Sequence, residues 1–204
     1  MKITRIKQQT RNSRRYAVYL DGAYSFALDS EAVTALGLAP GTELTEADVA
    51  RITREDQLRK AKEYAVLLLS YRARTIRELR ERLVKKGFAD DIASAAIGRL
   101  VELKLLDDTK FAQDYTADRI KLARRGKWVV RGELMRLGVG KPDIEQAMET
   151  APDEAGAAKE LVAKYRLRYA RLEPEVRKRR LYALLARRGF SPDTIRQALD
   201  LPED

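Results

Sequence analysis

The sequence predicts a mainly α-helical protein: three tandem three-helix repeats forming an elongated array, with a small N-terminal β-hairpin/α module. The first observation is a phrase, Leu-x-x-x-Gly followed by an apolar residue, that recurs every 51 residues at Gly87, Gly138 and Gly189. The second is that apolar positions on both sides of each glycine stay in register in all three copies. The third is a composition of 35% charged and 7% aromatic residues, typical of helices around small cores. A fixed period of this length indicates a repeat architecture.

Each copy of the phrase predicts the end of one helix and the start of another. Glycine just after a helix adopts a positive φ at little steric cost, and the apolar residue that follows packs back on the last turn. Before Gly87, the residues Ile76, Leu79 and Leu83 recur at spacings of three and four, which is the stripe of an amphipathic helix. The next helix of each repeat then opens with acidic or proline residues, as at Pro142. Each repeat therefore contains three helices.

The first 52 residues lie outside the repeat and predict three short strands. Asp21 and Gly22 separate two runs of aromatic and apolar residues, and this dipeptide in that setting is a strong hairpin signal. The segment before them, residues 2–8, alternates between apolar and polar side chains. A module of this size supplies little core, so we expect it to dock on the helical repeats.

Short helices follow the predicted strands. One begins at Asp29, and a second begins at a capping box of Thr45 and Asp48. A separate, longer helix is predicted from about Arg54 to Arg72. These patterns place the N-terminal module at residues 1–52 and the three repeats at residues 53–105, 106–151 and 152–204.

The composition excludes several classes of chemistry. The chain has no Cys and no His, which removes disulfides, Cys/His zinc sites, thiol nucleophiles and imidazole catalysis. The acidic pairs Asp90-Asp91 and Asp107-Asp108 stand at predicted helix starts, so we interpret them as capping residues rather than metal ligands. No apolar run is long enough for a membrane span, and the N-terminus lacks the apolar core of a signal peptide. We therefore expect a cytoplasmic protein that is not an enzyme and needs no cofactor.

Positive charge is the main functional signal. Lys and Arg total 41 against 31 acidic residues, which gives a net charge of +10 and a pI near 9.8. This balance favours an anionic partner: nucleic acid, an acidic protein surface or an anionic membrane. The candidate partner-binding residues are the clustered cations: Lys85, Lys86, Arg124, Arg125, Lys127, Arg131, Arg177, Lys178, Arg179, Arg180, Arg187 and Arg188.

These cations do not all carry the same weight. Those just before Gly87 and Gly189 are equally explained by the helix dipole, which favours positive charge at a helix C-terminus. The clusters 124–131 and 177–180 are predicted at helix starts, where the dipole disfavours positive charge, so they favour binding. Trp128, the single tryptophan, adjoins the first of these clusters. A tryptophan stacks on a base or a partner side chain in some proteins, but we expect this one in the core.

Several segments together resemble the RecX regulatory proteins of bacteria. They are residues 105–112 (LLDDTKFA), residues 124–127 (RRGK), the glycine phrase at residues 134–139, and residues 71–75 (YRART) leading into the first glycine phrase. The resemblance covers about residues 58–200. Residues 1–52 match only the looser pattern of members with an N-terminal extension.

The resemblance implies a cytoplasmic, non-enzymatic modulator of the RecA recombinase in DNA repair. Members of the family bind the RecA filament on single-stranded DNA, lie along its groove, and restrain strand exchange, ATP hydrolysis and co-cleavage of the SOS repressor. Some also bind DNA directly, so the alternative is a helical repeat protein that contacts single- or double-stranded DNA through phosphates. No heptad seam suggests self-association, so we expect a monomer.

Overall fold

A computed structural model describes residues 1–10 and 12–200. Arg11 and the last four residues of the predicted third repeat, 201–204, lie outside this described part. The strands are β1 (Ile3–Gln9), β2 (Asn12–Leu20) and β3 (Ala23–Asp29). The helices are α1 (Ser30–Ala35), α2 (Glu46–Tyr71), α3 (Ile76–Lys86), α4 (Asp90–Glu102), α5 (Asp108–Lys121), α6 (Lys127–Leu137), α7 (Lys141–Glu149), α8 (Ala155–Arg168), α9 (Pro174–Arg188) and α10 (Pro192–Ala198). The mainly α-helical fold with a small N-terminal β-sheet is therefore confirmed.

The chain divides into two compact units. The first contains Met1–Leu68 and Arg82–Leu100, and the second contains Leu69–Glu81 with the chain from Val101 onward. The division passes through α2 and α3, so the N-terminal end of α3 belongs to the second unit. Within the described residues, no helix is long and apolar enough to cross a membrane.

The N-terminal sheet is an antiparallel meander in the order β1-β2-β3. Asp21 and Gly22 form the predicted two-residue turn, with φ values of 46° and 88°, and Leu20 pairs with Ala23 across it. Positive φ at both turn residues matches the twist of the flanking strands, which fixes the register. One face of the sheet packs on the helices that follow. The core of this module contains Ile3, Val18, Leu20, Phe26, Leu28, Leu38, Leu44 and Ile52.

The predicted caps of the N-terminal helices are confirmed, but the predicted gap after residue 52 is wrong. The carboxylate of Asp29 accepts the Ala32 amide, and Thr45 and Asp48 exchange the reciprocal bonds of a capping box. From there α2 runs unbroken to Tyr71. No Gly or Pro interrupts this stretch, and Arg51 pairs along the helix with Asp48 and with Glu55. The proposed boundary between residues 52 and 53 falls inside this single helix.

The glycine phrase ends a helix in the same way in each repeat. Gly87, Gly138 and Gly189 have φ values of 103°, 84° and 84°. In each case the amide of the following residue donates to a carbonyl five residues earlier: Phe88 to Leu83 (3.2 Å), Val139 to Leu134 (3.1 Å), and Phe190 to Leu185 (3.3 Å). This is the Schellman motif, which satisfies carbonyls that the helix leaves unpaired. The 51-residue period of the sequence therefore marks the C-terminal end of the middle helix in each repeat.

The second and third repeats each bury their own apolar stripe. In the second repeat, α5 packs on α7 around Ala112, Val130, Leu134, Val139, Ile144, Ala147 and Met148. In the third, α8 packs on α9 and α10 around Ala158, Leu161, Val162, Leu181, Leu185, Phe190, Ile195, Ala198 and Leu199. These small cores agree with the low aromatic content, and they leave most cations on the surface.

Candidate partner-binding surface

Two contacts between repeats, both inside the second unit, position the candidate residues. In the first junction, the start of α3 meets the glycine end of α6. Thr75 Oγ1 donates to the Leu137 carbonyl at 2.7 Å, and the Arg77 guanidinium donates to the Arg136 carbonyl. The Ile76 amide donates to Asp108 at the start of α5, at 2.9 Å.

The second junction repeats this arrangement 51 residues later, with the backbone in place of side chains. At the start of α6, the Gly126 amide donates to the Arg188 carbonyl at 2.9 Å, and the Trp128 amide donates to the Gly189 carbonyl at 3.2 Å. A Cβ atom on Gly126 would overlap the carbonyl group of Gly189. Gly126 is therefore required by the close approach of two backbones, since its own φ of −79° is open to any residue.

A buried carboxylate completes the second junction. Glu154 is 6% exposed, and its two oxygens accept the Lys127 amide at 2.6 Å, the Ser191 amide at 3.3 Å and the Thr194 hydroxyl at 3.1 Å. Glu154 thus links the starts of α6, α8 and α10. No sequence pattern pointed to this residue, because its partners lie 27 to 40 residues away along the chain.

Five of the predicted binding cations have contacts within the protein. Arg124 pairs with Glu160 at 2.7 Å, and Arg131 forms a two-pronged pair with Glu145 at 2.6 and 2.8 Å. The hydrogen bond from Arg131, and then the charges of Arg131 and Lys141, lower the pKa of the Glu145 carboxyl. The remaining three contacts are Lys127 Nζ to the Met148 carbonyl (3.3 Å), Arg188 to the Ala123 carbonyl (3.0 Å), and Lys86 Nζ above the Tyr64 ring (5.2 Å).

The other predicted cations form no ion pair within the part of the chain that the structure describes. They are Lys85, Arg125, Arg177, Lys178, Arg179, Arg180 and Arg187. The expected position of residues 177–180 at a helix start is wrong. Because α9 begins at Pro174, these four residues lie in its second turn, where the dipole argument against positive charge loses most of its force.

One further cation, outside the predicted set, occupies a position that is basic in all three repeats. Arg136 lies two residues before Gly138, as Lys85 and Arg187 do before their own glycines. All three side chains are exposed. The column is basic in every repeat of the sequence, but the second repeat has a single arginine where the other two have the pairs Lys85-Lys86 and Arg187-Arg188.

Trp128 is the clearest correction, because its side chain is 78% exposed rather than buried. It borders a groove of about 750 Å³ together with Lys127, Arg131, Met135 and Met148. The backbone of Trp128 holds the second junction, which leaves the indole free to face solvent. The second junction also brings the segment of residues 124–127 against the backbone of Arg188, so two cationic clusters distant in sequence become neighbours.

The exposed cations and the exposed indole suit recognition of an anionic partner. Among the described residues, no group of three or more acidic side chains is placed to hold a metal ion. Asp107 caps α5 through the Lys110 amide at 2.9 Å, and Asp90 and Asp91 lie in the first turn of α4. The acidic pairs therefore stand at helix starts, as expected.

Four family models match successive segments of the chain. Family models match residues 1–45 (Regulatory protein RecX N-terminal domain), 61–100 (RecX, first three-helix domain), 107–148 (RecX, second three-helix domain) and 153–199 (RecX, third three-helix domain). Regulatory protein RecX of Bacillus velezensis is 31% identical over 203 residues, covering 98% of this chain and 77% of that protein. Regulatory protein RecX of Bacillus pumilus is 33% identical over 200 residues, covering 97% and 76%.

Solved structures agree with the sequence comparison. A crystal structure of regulatory protein RecX matches with a TM-score of 0.75 and 29% identity, covering 98% of both chains. A crystal structure of RecX from Lactobacillus salivarius matches with a TM-score of 0.67 and 24% identity, covering 72% of this chain and 96% of that one, and supports the fold alone. With four modules matched in order and relatives that align along nearly its whole length, the chain belongs to the RecX family of regulatory proteins.

Proposed function

We propose that this chain regulates the RecA recombinase by binding the RecA filament on single-stranded DNA. Bound there, it restrains ATP hydrolysis, strand exchange and co-cleavage of the SOS repressor. It acts as a cytoplasmic monomer, without a cofactor and without enzymatic activity of its own. Membership of the RecX family supports the regulatory role, and the surface of the second unit supports the mode of binding.

The observation that carries the proposal is the junction surface, which we define as Arg125, Trp128 and Arg187. The backbone bonds of the second junction bring the segments that contain these residues together. Neither arginine forms an ion pair within the described residues, and the indole is largely exposed. Tryptophan and arginine are the residues that most often dominate the energy of protein interfaces. An exposed indole flanked by cations fits an acidic protein surface with an apolar centre.

Rigidity makes this surface a suitable recognition element. Hydrogen bonds of 2.9 and 3.2 Å between backbones, together with buried Glu154, fix the start of α6 against the end of α9. A surface that is ordered before binding loses less conformational entropy on association. Arg124 and Arg131 support it through their pairs with Glu160 and Glu145, so we assign them a positioning role.

The test is inhibition of ATP hydrolysis by RecA on single-stranded DNA. The double variant Arg125→Glu, Arg187→Glu should weaken inhibition at least about tenfold, because each reversed charge opposes an anionic partner and one interface residue of this type is worth more than about 1 kcal/mol. Trp128→Ala should weaken it by a similar factor.

The matched control reverses two exposed cations elsewhere, Lys159→Glu and Arg171→Glu, which changes the net charge equally. This variant should inhibit as the parent protein does, and the thermal midpoints of all variants should agree with that of the parent. Equal inhibition by the junction-surface variant and its control would contradict the proposal.

The alternative function, direct binding of DNA through phosphates, is supported by the basic column of Lys85, Arg136 and Arg187. Affinity for naked DNA should then fall steeply with salt, and it should equal the affinity for the RecA filament. A filament affinity well above that for naked DNA, measured at the same salt concentration, would exclude this alternative.

A further inference from the structure

The outer face of the N-terminal sheet carries a row of aromatic and cationic side chains. The proposed regulation of RecA does not involve these side chains. Val18 and Leu20 point into the core and are 0% and 6% exposed. Because strand side chains alternate, Tyr19 between them points to the opposite face. Its neighbours across the sheet are Arg5 on β1 and Tyr24 on β3.

These three side chains form one continuous surface. The Arg5 guanidinium lies 4.1 Å from the centre of the Tyr19 ring. The rings of Tyr19 and Tyr24 meet edge to face, with centres 6.0 Å apart and an interplanar angle of 78°. Tyr24 remains 59% exposed, so most of its ring is open to a ligand.

The next row of the sheet carries small side chains on β2 and β3. Lys7 pairs in register with Ala17, and Ala17 pairs with Ala27, so two small side chains lie beside the tyrosines. Lys7 adds a second cation on the same strand as Arg5.

Charge in this segment favours an anion. Residues 1–29 contain six basic and two acidic side chains. Both acids already have partners: Asp21 accepts the Lys2 amide at 2.8 Å, while Asp29 caps α1 and pairs with Arg59. The acidic side chains therefore do not compete with a ligand for Arg5 and Lys7.

We propose that this face binds single-stranded nucleic acid, with a base stacked on Tyr24 and phosphates held by Arg5 and Lys7. Stacking platforms flanked by cations bind single strands because every base offers a π-face, whereas bases in a duplex are already stacked. This site is separate from the junction surface and does not rest on binding to RecA. It gives the N-terminal module a function that its sequence pattern did not show.

A structural role for the tyrosines is the competing explanation, since aromatic pairs across strands stabilise sheets. The two explanations differ in a measurable way. A purely structural pair predicts no contact with nucleic acid, whereas a stacking site predicts that Tyr24 lies against a base.

The experiment uses the full chain and a fluorescent 20-nucleotide oligo(dT), with binding followed by anisotropy at several salt concentrations. Tyr24→Thr keeps a strand-forming residue and should weaken binding about tenfold, within the range for loss of one stacked base. Tyr24→Trp should restore binding. The double variant Arg5→Gln, Lys7→Gln should reduce the slope of log affinity against log salt by about 1.4, since each phosphate contact on a single strand contributes about 0.7.

Matched controls are Tyr71→Thr, at an exposed tyrosine on α2, and Lys159→Gln with Arg171→Gln; both should bind as the parent does. An oligo(dT) that carries 5-iodouracil should cross-link to the peptide containing Tyr24, which gives a readout independent of variant stability. Oligo(U) tests whether RNA shares the site.

Three results would overturn the proposal. The first is equal affinity for a duplex of the same length. The second is loss of oligo(dT) binding on charge reversal of the junction surface, with Tyr24→Thr unaffected. The third is binding to anionic lipid vesicles with no measurable binding to either oligonucleotide.

Discussion

The two junctions make the same contact by different means. Both join the start of one middle helix to the glycine end of the next, whose last carbonyls have no partner inside their own helix. The first junction supplies side-chain donors, Thr75 and Arg77. The second supplies the backbone amides of Gly126 and Trp128 at the equivalent positions. The comparison shows that a residue which makes the junction contact through its backbone amide keeps its side chain available for other contacts.

This difference explains why the exposed tryptophan stands where it does. In the first junction the side chain at position 77 is occupied by the contact with the next repeat. In the second, the equivalent side chain at position 128 is free, because the amide already makes the bond. The close approach of the two backbones requires glycine at position 126. At the start of α6, the backbone of Trp128 therefore holds the junction, while its side chain is available to a partner.

The largest effect should follow from adding a methyl group to the second junction. In Gly126→Ala the new Cβ would overlap the Gly189 carbonyl, so the two backbones must separate. Overpacking of this kind costs about 1–3 kcal/mol, and here two hydrogen bonds weaken as well. Urea unfolding followed by circular dichroism measures the loss.

Gly132→Ala is the matched control, because Gly132 lies inside α6 with open space around its Cβ position. It should raise stability by up to about 1 kcal/mol through higher helix propensity. Equal effects of the two substitutions would show that the close approach at Gly126 carries no weight.

The next effect concerns the buried acceptor of the second junction. Glu154→Ala leaves the Lys127 amide and the Thr194 hydroxyl without their partner, and each unsatisfied buried group costs about 1–3 kcal/mol. Glu154→Gln keeps one acceptor oxygen, so it should lose less. The comparison is made by thermal unfolding, and a larger loss for Gln than for Ala would refute the role of Glu154 as an acceptor.

The first junction should yield a smaller effect, because it is held through side chains. Thr75→Val keeps the shape of the residue but removes the hydroxyl that bonds the Leu137 carbonyl and accepts the Glu78 amide at 3.1 Å. Loss of such a cap costs about 1 kcal/mol. Thr75→Ser retains the hydroxyl and should remain near the parent in urea unfolding, and similar losses for Val and Ser would assign the effect to packing.

The smallest effect is a dependence of stability on pH that arises at the first junction. Burial, together with the charges of Asp143 and Asp107, raises the pKa of Asp108 despite its bond from the Ile76 amide. When the pKa of a carboxyl is higher in the folded than in the unfolded chain, the folded protein is more stable while that carboxyl is protonated. The free energy of unfolding therefore falls as pH rises from about 4 through the raised pKa. Asp108→Asn removes this term.

Unfolding free energies measured from pH 3.5 to pH 7 test that sign. The stability of Asp108→Asn relative to the parent should increase with pH across the lower part of this window. A constant difference would mean that the carboxyl of Asp108 titrates alike in the folded and unfolded chain.

Local features of the fold were predictable because their causes are local. The glycine after each middle helix, the Asp21-Gly22 turn and the caps at Asp29 and Thr45 depend on residues within about five positions of one another. The unbroken helix α2 differs from the prediction because its capping box and its apolar stripe lie at opposite ends of the helix and predict two separate helices when taken apart. The absence of Gly and Pro between residues 46 and 71 is the sequence feature that indicates one continuous helix.

The candidate surface was less predictable because its determinants are distant in sequence. Arg124 and Arg131 find their carboxylates 36 and 14 residues away, outside helical spacing. The exposure of Trp128 depends on the backbone bond to Gly189, 61 residues further along the chain. One clue was available: Gly126 occupies the column that Thr75 fills in the first repeat, and glycine there cannot cap through a side chain.

The early start of α9 distinguishes the third repeat from the first two. The middle helices of the first two repeats begin at Ile76 and Lys127, but that of the third begins at Pro174, a full turn earlier in the repeat. Arg177, the counterpart of Gly126, already donates its amide to the Glu173 carbonyl at 2.9 Å. The amide that makes the junction contact in the second repeat is thus already bonded in the third. The start of α9 is therefore satisfied within its own helix, whereas the starts of α3 and α6 each bond the glycine end of the next middle helix.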